Sequence, residues 1–271
     1  MVGRRPAVVL GALVVAGACS PFGSAAAPGG PEDGGLAEGG PTGPDADAGS
    51  ADGASADAPD ARSACAASHF LCEDFDGPFP WTGWTDMSRA GSEIKRDTLL
   101  FVSPPASLHV TIQPASDSDH PSYLRRDLPA AQRIDVSADV VVSRSTGTPP
   151  NGEIDVVALE LAPPIGFSRY FVTIVANADG EYILETDVVP QSGGNHSHRE
   201  KLGNLTSGFA RLQLALDLAV GNVTGEAGGV SKTLQLVSAT GKGASLKIGV
   251  AWANNSSGRF AVNIDNLIVD Q

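Results

Sequence analysis

The stretch that decides the fold is Arg211-Leu212-Gln213-Leu214-Ala215-Leu216-Asp217-Leu218. Its leucines occupy every second position, and the residues between them are polar or small. Successive side chains of a β-strand point to opposite faces, so this period of two predicts a strand with one face on a core and one towards water. A helix would instead repeat its apolar residues every three or four positions.

The same alternation recurs along the second part of the chain, and turn signals rich in Gly and Asn separate the repeats. No window there has a convincing helical period. These segments predict one all-β domain over residues 65–271, built as a two-sheet antiparallel sandwich or barrel. The remaining strands are expected at 108–112, 134–142, 154–161, 170–177, 182–188, 234–237, 246–252 and 260–264.

The amino-terminal residues have the character of an export signal. Two arginines precede an apolar run of twelve residues at 7–18, which is too short to cross a membrane. The run ends Val15-Ala16-Gly17-Ala18-Cys19, which resembles the lipobox of bacterial lipoproteins, although that family prefers Leu where Ala16 stands. The resemblance implies a signal peptide over 1–18, a lipid on Cys19 and, because Ser20 follows, the outer membrane. Ordinary secretion, with cleavage near Ala18 or Ala27, is the alternative.

Residues 19–64 predict a disordered linker. Of the 45 residues in 20–64, 33 are Gly, Ala, Pro or Ser, and eight acids against one arginine give a net charge of −7. Such a segment cannot bury enough apolar surface to offset the entropy lost on ordering. The whole chain has a net charge of −13, which argues against nucleic acid as a partner and against a basic membrane-binding patch. Membrane attachment is therefore expected through the lipid.

Cys65 and Cys72 are separated by six residues. In an exported protein this spacing predicts a local disulfide next to the first strand.

Three pieces of the domain together resemble the concanavalin A-like lectin/glucanase superfamily, especially its laminin-G-like jelly rolls. They are Phe70-Leu71-Cys72-Glu73-Asp74-Phe75-Asp76-Gly77, Ser103-Pro104-Pro105-Ala106-Ser107-Leu108, and Val262-Asn263-Ile264-Asp265-Asn266-Leu267-Ile268-Val269-Asp270. The resemblance implies a two-sheet jelly roll whose first and last strands share a sheet. It also implies a role on glycans, since the superfamily contains sugar-binding modules, glycoside hydrolases and polysaccharide lyases.

The closing segment changes its alternation near Asp265, which predicts a β-bulge there. Related jelly rolls hold a structural calcium ion where the first and last strands meet. The resemblance makes Asp74, Asp76 and Asp265 candidate calcium ligands, because Ca²⁺ prefers carboxylate oxygens. The alternative is that these acids cap turns or face solvent.

A second motif, Gly152-Glu153-Ile154-Asp155-Val156-Val157-Ala158-Leu159-Glu160, resembles the Glu-Ile-Asp-x-(x)-Glu signature of family-16 glycoside hydrolases. There the first Glu is the nucleophile, the last is the acid/base, and the Asp tunes them. Glu153 and Asp155 are therefore weak catalytic candidates. Val157 and Ala158 occupy the acid/base position, and Glu160 is expected on the opposite face of the strand, so the motif predicts no hydrolysis.

Trp81 and Trp84 lie in a loop rich in Pro and Gly and are candidate sugar platforms, with packing at the sandwich edge as the alternative. Trp252 alternates in phase with Val250 and is expected in the core. The function most consistent with these residues is non-catalytic recognition of a polysaccharide by a lipid-anchored jelly roll. A glycan-cleaving enzyme of the same fold and a structural envelope protein are the alternatives.

Overall fold

The computed structural model describes Cys65 and residues 68–89, 91–112, 121–144, 152–237, 243–254 and 259–271. The expected signal peptide, Cys19 and the linker over 19–64 lie outside the described residues. The described segments contain no α-helix, and therefore no helix long and apolar enough to cross a membrane.

The described residues form fifteen strands. In chain order they are β1 (Leu71–Glu73), β2 (Thr85–Asp86), β3 (Glu93–Asp97), β4 (Ser107–Ile112), β5 (Ser122–Leu128), β6 (Arg133–Arg144), β7 (Glu153–Leu161), β8 (Phe167–Asn177), β9 (Glu181–Pro190), β10 (His196–Asn204), β11 (Ala210–Asp217), β12 (Asn222–Ala227), β13 (Val230–Gln235), β14 (Ala244–Ala253) and β15 (Phe260–Asp270).

The strands form two antiparallel sheets. The eight-stranded sheet has the order β13-β12-β11-β6-β15-β4-β3, with β1 also paired to β15, and the seven-stranded sheet has the order β10-β9-β8-β7-β14-β5-β2. Apolar side chains from the inner faces of both sheets form one buried core, including Leu212, Leu214 and Leu216 of β11 and Ile248 of β14. The predicted two-sheet jelly roll, with its first and last strands together, is confirmed.

The last strand contains the predicted bulge. Its pairing with β6 shifts register between Asp265 and Ile268, and Asn266 has a positive φ of 48°. Asn and Asp tolerate this left-handed conformation better than most residues because their side chains bond locally. Here the Asn266 side chain donates to Asp139 on β6 over 2.8 Å. The bulge turns Asp265 into the protein, where it is fully buried.

Cys65 and Cys72 form a disulfide with a Cα–Cα distance of 5.3 Å. The bond joins the first described residue to β1. Beside it, the His69 ring contacts the Asp270 carboxylate at 3.1 Å, so the two ends of the domain meet.

Candidate functional site

The outer face of the seven-stranded sheet carries a surface cavity of about 890 Å³, which we call the groove. Its central lining comes from β7, β8, β9 and β14, the middle strands of the sheet. Its lining is more polar than apolar, and a cleft of this size in which polar groups converge is a candidate ligand site.

Strand β7 supplies the floor of the groove, and a bulge decides which of its residues face outward. The register with β8 shifts between Asp155 and Val157, so Val156 and Val157 both enter the core. Beyond the bulge the parity is reversed, and Ala158 and Glu160 line the groove with Glu153 and Asp155. The expectation that Glu160 lies on the opposite face is therefore wrong. Ala158 still occupies the position at which the resembled hydrolase motif carries its acid/base.

Strand β14 has a matching irregularity. Its register with β7 shifts between Ile248 and Trp252, and Gly249 adopts a φ of +113° within the shifted segment. The Trp252 side chain therefore points away from the core and is 38% exposed. It lines the groove and is the register partner of Asp155. The prediction that Trp252 packs in the core is wrong, because the bulge reverses the alternation on which it was based.

Four carboxyl groups converge on one side of the groove: Glu153 and Asp155 from β7, and Glu185 and Asp187 from β9. Burial, followed by repulsion from Glu185, Asp187 and Glu153, raises the pKa of Asp155 well above its ordinary value. Burial is also the main cause that raises the pKa of Glu185 and of Asp187. A group of carboxyls with raised pKa values inside a cleft is typical of acid–base sites.

Arg199 on the edge strand β10 holds two of these carboxylates. Its Nη2 donates to Glu153 Oε1 over 2.9 Å, and its Nε lies 3.3 Å from Glu185 Oε2. Arg199 pairs with Glu185 in the β9–β10 register and reaches across β8 to Glu153 on β7. The charge of Arg199 opposes the rise in the pKa of Glu185 and of Asp155, but burial is the largest cause of the shift in both.

On the other side of Ala158, Lys247 occupies the middle of the groove. It is the register partner of Ala158, and its Nζ lies 2.8 Å from Glu160 Oε2. The ammonium is also 4.9 Å from the ring centre of Phe171 and 5.3 Å from that of Tyr123. Cation–π contacts and the ion pair together fix this side chain, which is only 12% exposed.

The structure places the two tryptophans proposed as sugar platforms away from the groove. Trp81 is 5% exposed and packs edge-on against Phe75 and Phe79. Trp84 is half-buried, donates from Nε1 to Glu73 over 3.4 Å and lies under the Arg126 guanidinium. Both are packing residues of the sandwich, and neither lines the groove. The aromatic residues that line the groove are Tyr123, Phe171 and Trp252.

The calcium prediction receives no support from the geometry. Asp265 Oδ2 accepts the amides of Val102 and Ser103 at 2.7 and 2.8 Å, and its Oδ1 accepts the Asn266 amide and the Ser103 hydroxyl at 2.8 and 3.0 Å. Asp76 accepts the amide of Ala106 at 3.1 Å. Among the described residues, no group of three or more acidic, His or Cys side chains could hold a metal ion. These acids instead brace loops by hydrogen bonds.

Sequence reasoning identified Glu153 and Asp155 but missed the residues that surround them. The outward-facing positions of β9 include Glu185 and Asp187, and those of β14 include Lys247; buried residues alternate with them. Alternation could mark them as exposed polar positions, but it could not show that these strands flank β7. That neighbourhood depends on sheet order.

Comparisons with known proteins show which solved structures share the fold. No family model matches the chain, and no curated protein matches it in sequence. Among solved structures, an endo-β-1,4-glucuronan lyase from the fungus Trichoderma reesei superposes with a TM-score of 0.55 at 12% identity, covering 75% of this chain and 96% of the lyase. A family-16 endo-glucanase from Bacteroides ovatus gives 0.52 at 10% identity, over 73% and 99%. An alginate lyase of family PL-14 from Aplysia kurodai gives 0.51 at 11% identity, over 75% and 99%.

These similar structures are mostly glycan-degrading enzymes with a concanavalin A-like jelly roll. At such identities the similarity shows the fold alone. The chain therefore has the concanavalin A-like jelly-roll fold, and its function has to be argued from its own groove.

Proposed function

We propose that this protein cleaves a glycan bound in the groove, with Asp155 as the proton donor. One observation carries the proposal: Asp155 lies at the groove floor with a strongly raised pKa and with Trp252 as its neighbour on β14. A carboxyl group whose pKa is raised by its surroundings can donate a proton to a glycosidic oxygen. An indole face beside it provides a flat apolar surface for a sugar ring.

Glycoside hydrolysis needs a second carboxyl group that stays ionised, as nucleophile or as base for water. Glu153 and Glu185 are both held by the Arg199 guanidinium, at 2.9 and 3.3 Å. Both line the same groove as Asp155. The groove therefore offers one carboxyl group with a strongly raised pKa and two carboxyl groups that contact a cation, and glycoside cleavage uses two carboxyl groups in different surroundings.

The enzyme interpretation is also supported by the similar structures, most of which degrade glycans. Non-catalytic glycan recognition is the second candidate. It is favoured by Ala158, which stands where the resembled hydrolase motif has its acid/base.

The test is release of reducing ends from polysaccharides by the full chain, over a panel of β-glucans, xylan, mannan and polyuronates. We expect Asp155→Asn to lose at least about 100-fold in rate, the usual contribution of a general acid. Glu153→Gln and Glu185→Gln then identify the ionised partner by which one abolishes turnover. Binding without cleavage at every pH from acidic to neutral would instead establish recognition.

Trp252→Ala tests the platform, with Trp84→Ala as the matched control because Trp84 is also partly buried but lies outside the groove. We expect Trp252→Ala to weaken glycan binding by about tenfold or more, since stacking contributes about 1–3 kcal/mol in comparable aromatic contacts. Trp84→Ala should bind as the wild type does. Equal effects of the two changes would remove Trp252 from the site.

We propose further that the protein acts outside the cytoplasm on a lipid anchor at Cys19, with residues 20–64 as a tether. The Cys65–Cys72 disulfide supports this, because stable disulfides form in oxidising compartments. Cys19→Ala should move the protein from the membrane fraction to the soluble exported fraction. Unchanged fractionation would exclude the anchor.

A further inference from the structure

We infer that the groove selects glycans without carboxylate groups, and that Asp187 sets this selectivity. The inference rests on the proposed function and narrows it to a substrate class. It separates this chain from the glucuronan and alginate lyases that share its fold.

Two cations contact acids of the groove: Lys247 at its middle and Arg199 on the edge strand β10. Lys247 is engaged with Glu160 at 2.8 Å and lies between two aromatic rings. Arg199 is engaged with Glu153 and Glu185. A uronate carboxylate bound there would have to share a cation that already neutralises an acidic side chain of the groove.

Two further arginines line the groove but lie away from its middle. Arg169 stands four residues before Thr173 on β8, which is about 13 Å along the strand. Arg89 follows the two-residue edge strand β2 and has an interaction of its own. Neither replaces Lys247 or Arg199.

A second observation concerns the acids that no cation neutralises. Within the described part of the chain, neither Asp155 nor Asp187 forms an ion pair with Lys, Arg or His. Asp187 Oδ1 is buried and accepts no hydrogen bond from the described residues. Asp187 therefore brings a buried, unpaired acceptor to the groove wall, and it has no ion pair that would offset the charge of a second anion.

The raised pKa of Asp155 shows that a negative charge is disfavoured at this position of the groove. Its pKa rises because of burial and because Glu185, Asp187 and Glu153 repel its negative form, while Arg199 only partly opposes them. A substrate carboxylate beside Asp155 would meet the same acids and the same exclusion from water. A hydroxymethyl group at that position has no charge to repel.

The test compares two probes that differ only in this group: β-1,4-gluco-oligosaccharides and the same oligosaccharides oxidised to carboxylates at C6. Binding to the full chain is measured by calorimetry at neutral pH. We expect the oxidised probe to bind at least tenfold more weakly. Higher salt should narrow the difference by screening the repulsion, without changing the binding of the neutral probe.

Asp187→Asn should reduce the ratio of the two probes' Kd values by at least threefold, because it removes one uncompensated charge and keeps the shape of the side chain. Asp179→Asn is the matched control, since Asp179 is exposed in the turn between β8 and β9 and lies outside the groove. Equal effects of the two variants would overturn the assignment to Asp187.

Binding of the oxidised probe as tight as, or tighter than, that of the neutral probe would overturn the selectivity and leave the proposed function standing. Failure of every glycan in the wider panel to bind would overturn the proposed function, and this inference with it.

Discussion

Asp265→Ala should destabilise the protein by about 3–5 kcal/mol. The carboxylate is fully buried and accepts four hydrogen bonds, two from the amides of Val102 and Ser103 and two from the Ser103 hydroxyl and the Asn266 amide. A buried donor left without its acceptor costs about 1–3 kcal/mol. Val102 is exposed, so water can replace part of the loss, and the total falls below the sum of four full penalties.

The measurement is urea unfolding and calorimetric melting of the full chain. For a domain of about 200 residues, 1 kcal/mol corresponds to about 2–4 °C, so the expected fall in Tm is about 6–20 °C. Asp86→Ala is the control, because Asp86 accepts one backbone amide, from Ser88 at 2.7 Å, at an exposed position. Its removal should cost well under about 1 kcal/mol.

A loss for Asp265→Ala within about 1 kcal/mol of the control would refute this reasoning. The same melts in calcium and in EDTA address the metal prediction. If calcium raised the Tm of the wild type but not of Asp265→Ala, the carboxylate would be a metal ligand rather than an acceptor for the loop amides.

Three further predictions concern the groove and its supports. Because the folded pKa of Asp155 is raised, the folded state holds a proton that the unfolded state releases, and stability falls as pH rises from the unfolded pKa of about 3.9 through the folded value. Asp155→Asn should therefore become more stable relative to the wild type as pH rises, and urea titrations showing a constant difference would contradict this. Gly249→Ala should cost about 1–3 kcal/mol, because its φ is +113° and a Cβ would lie 2.9 Å from the Ser122 carbonyl oxygen; a change below about 0.5 kcal/mol in the same assay would show that the bulge is not strained. Cys72→Ser should cost about 2.5 kcal/mol through the short loop that the disulfide closes, and reductant should bring the wild type to the stability of the variant. A wild type insensitive to reductant would contradict that estimate.

The groove carries acidic groups at a cost to stability, and this has a functional meaning. Burial raises the pKa values of Asp155, Glu185 and Asp187, so their ionised forms disfavour folding at neutral pH. Polar or apolar residues of similar size would fold more readily. Sites that retain unfavourable charges inside a cleft usually do so for binding or chemistry.

The sequence by itself determined the all-β class, the position of the bulge in β15 and most of the long strands, although it did not predict β5 or β10. Alternation is a local property: each strand's pattern of buried and exposed side chains is written in its own residues, as in Leu212, Leu214 and Leu216. The end motifs likewise placed the first and last strands together. The same local reasoning reached Glu153 and Asp155, which share one face of β7 because they are two residues apart.

Only the tertiary structure decided which side chains meet in the groove. Trp252 and Glu160 face outward because a bulge in each strand reverses the alternation of buried and exposed side chains. A single inserted residue moves every later side chain of the strand to the opposite face from the one predicted. Part of the repulsion that raises the pKa of Asp155 comes from Glu185 and Asp187. These residues are distant from it in sequence, and the strand order and register of the sheet bring them close. Pairing between strands is non-local, so residues that alternate alike along the chain acquire different roles according to the neighbours that the sheet gives them.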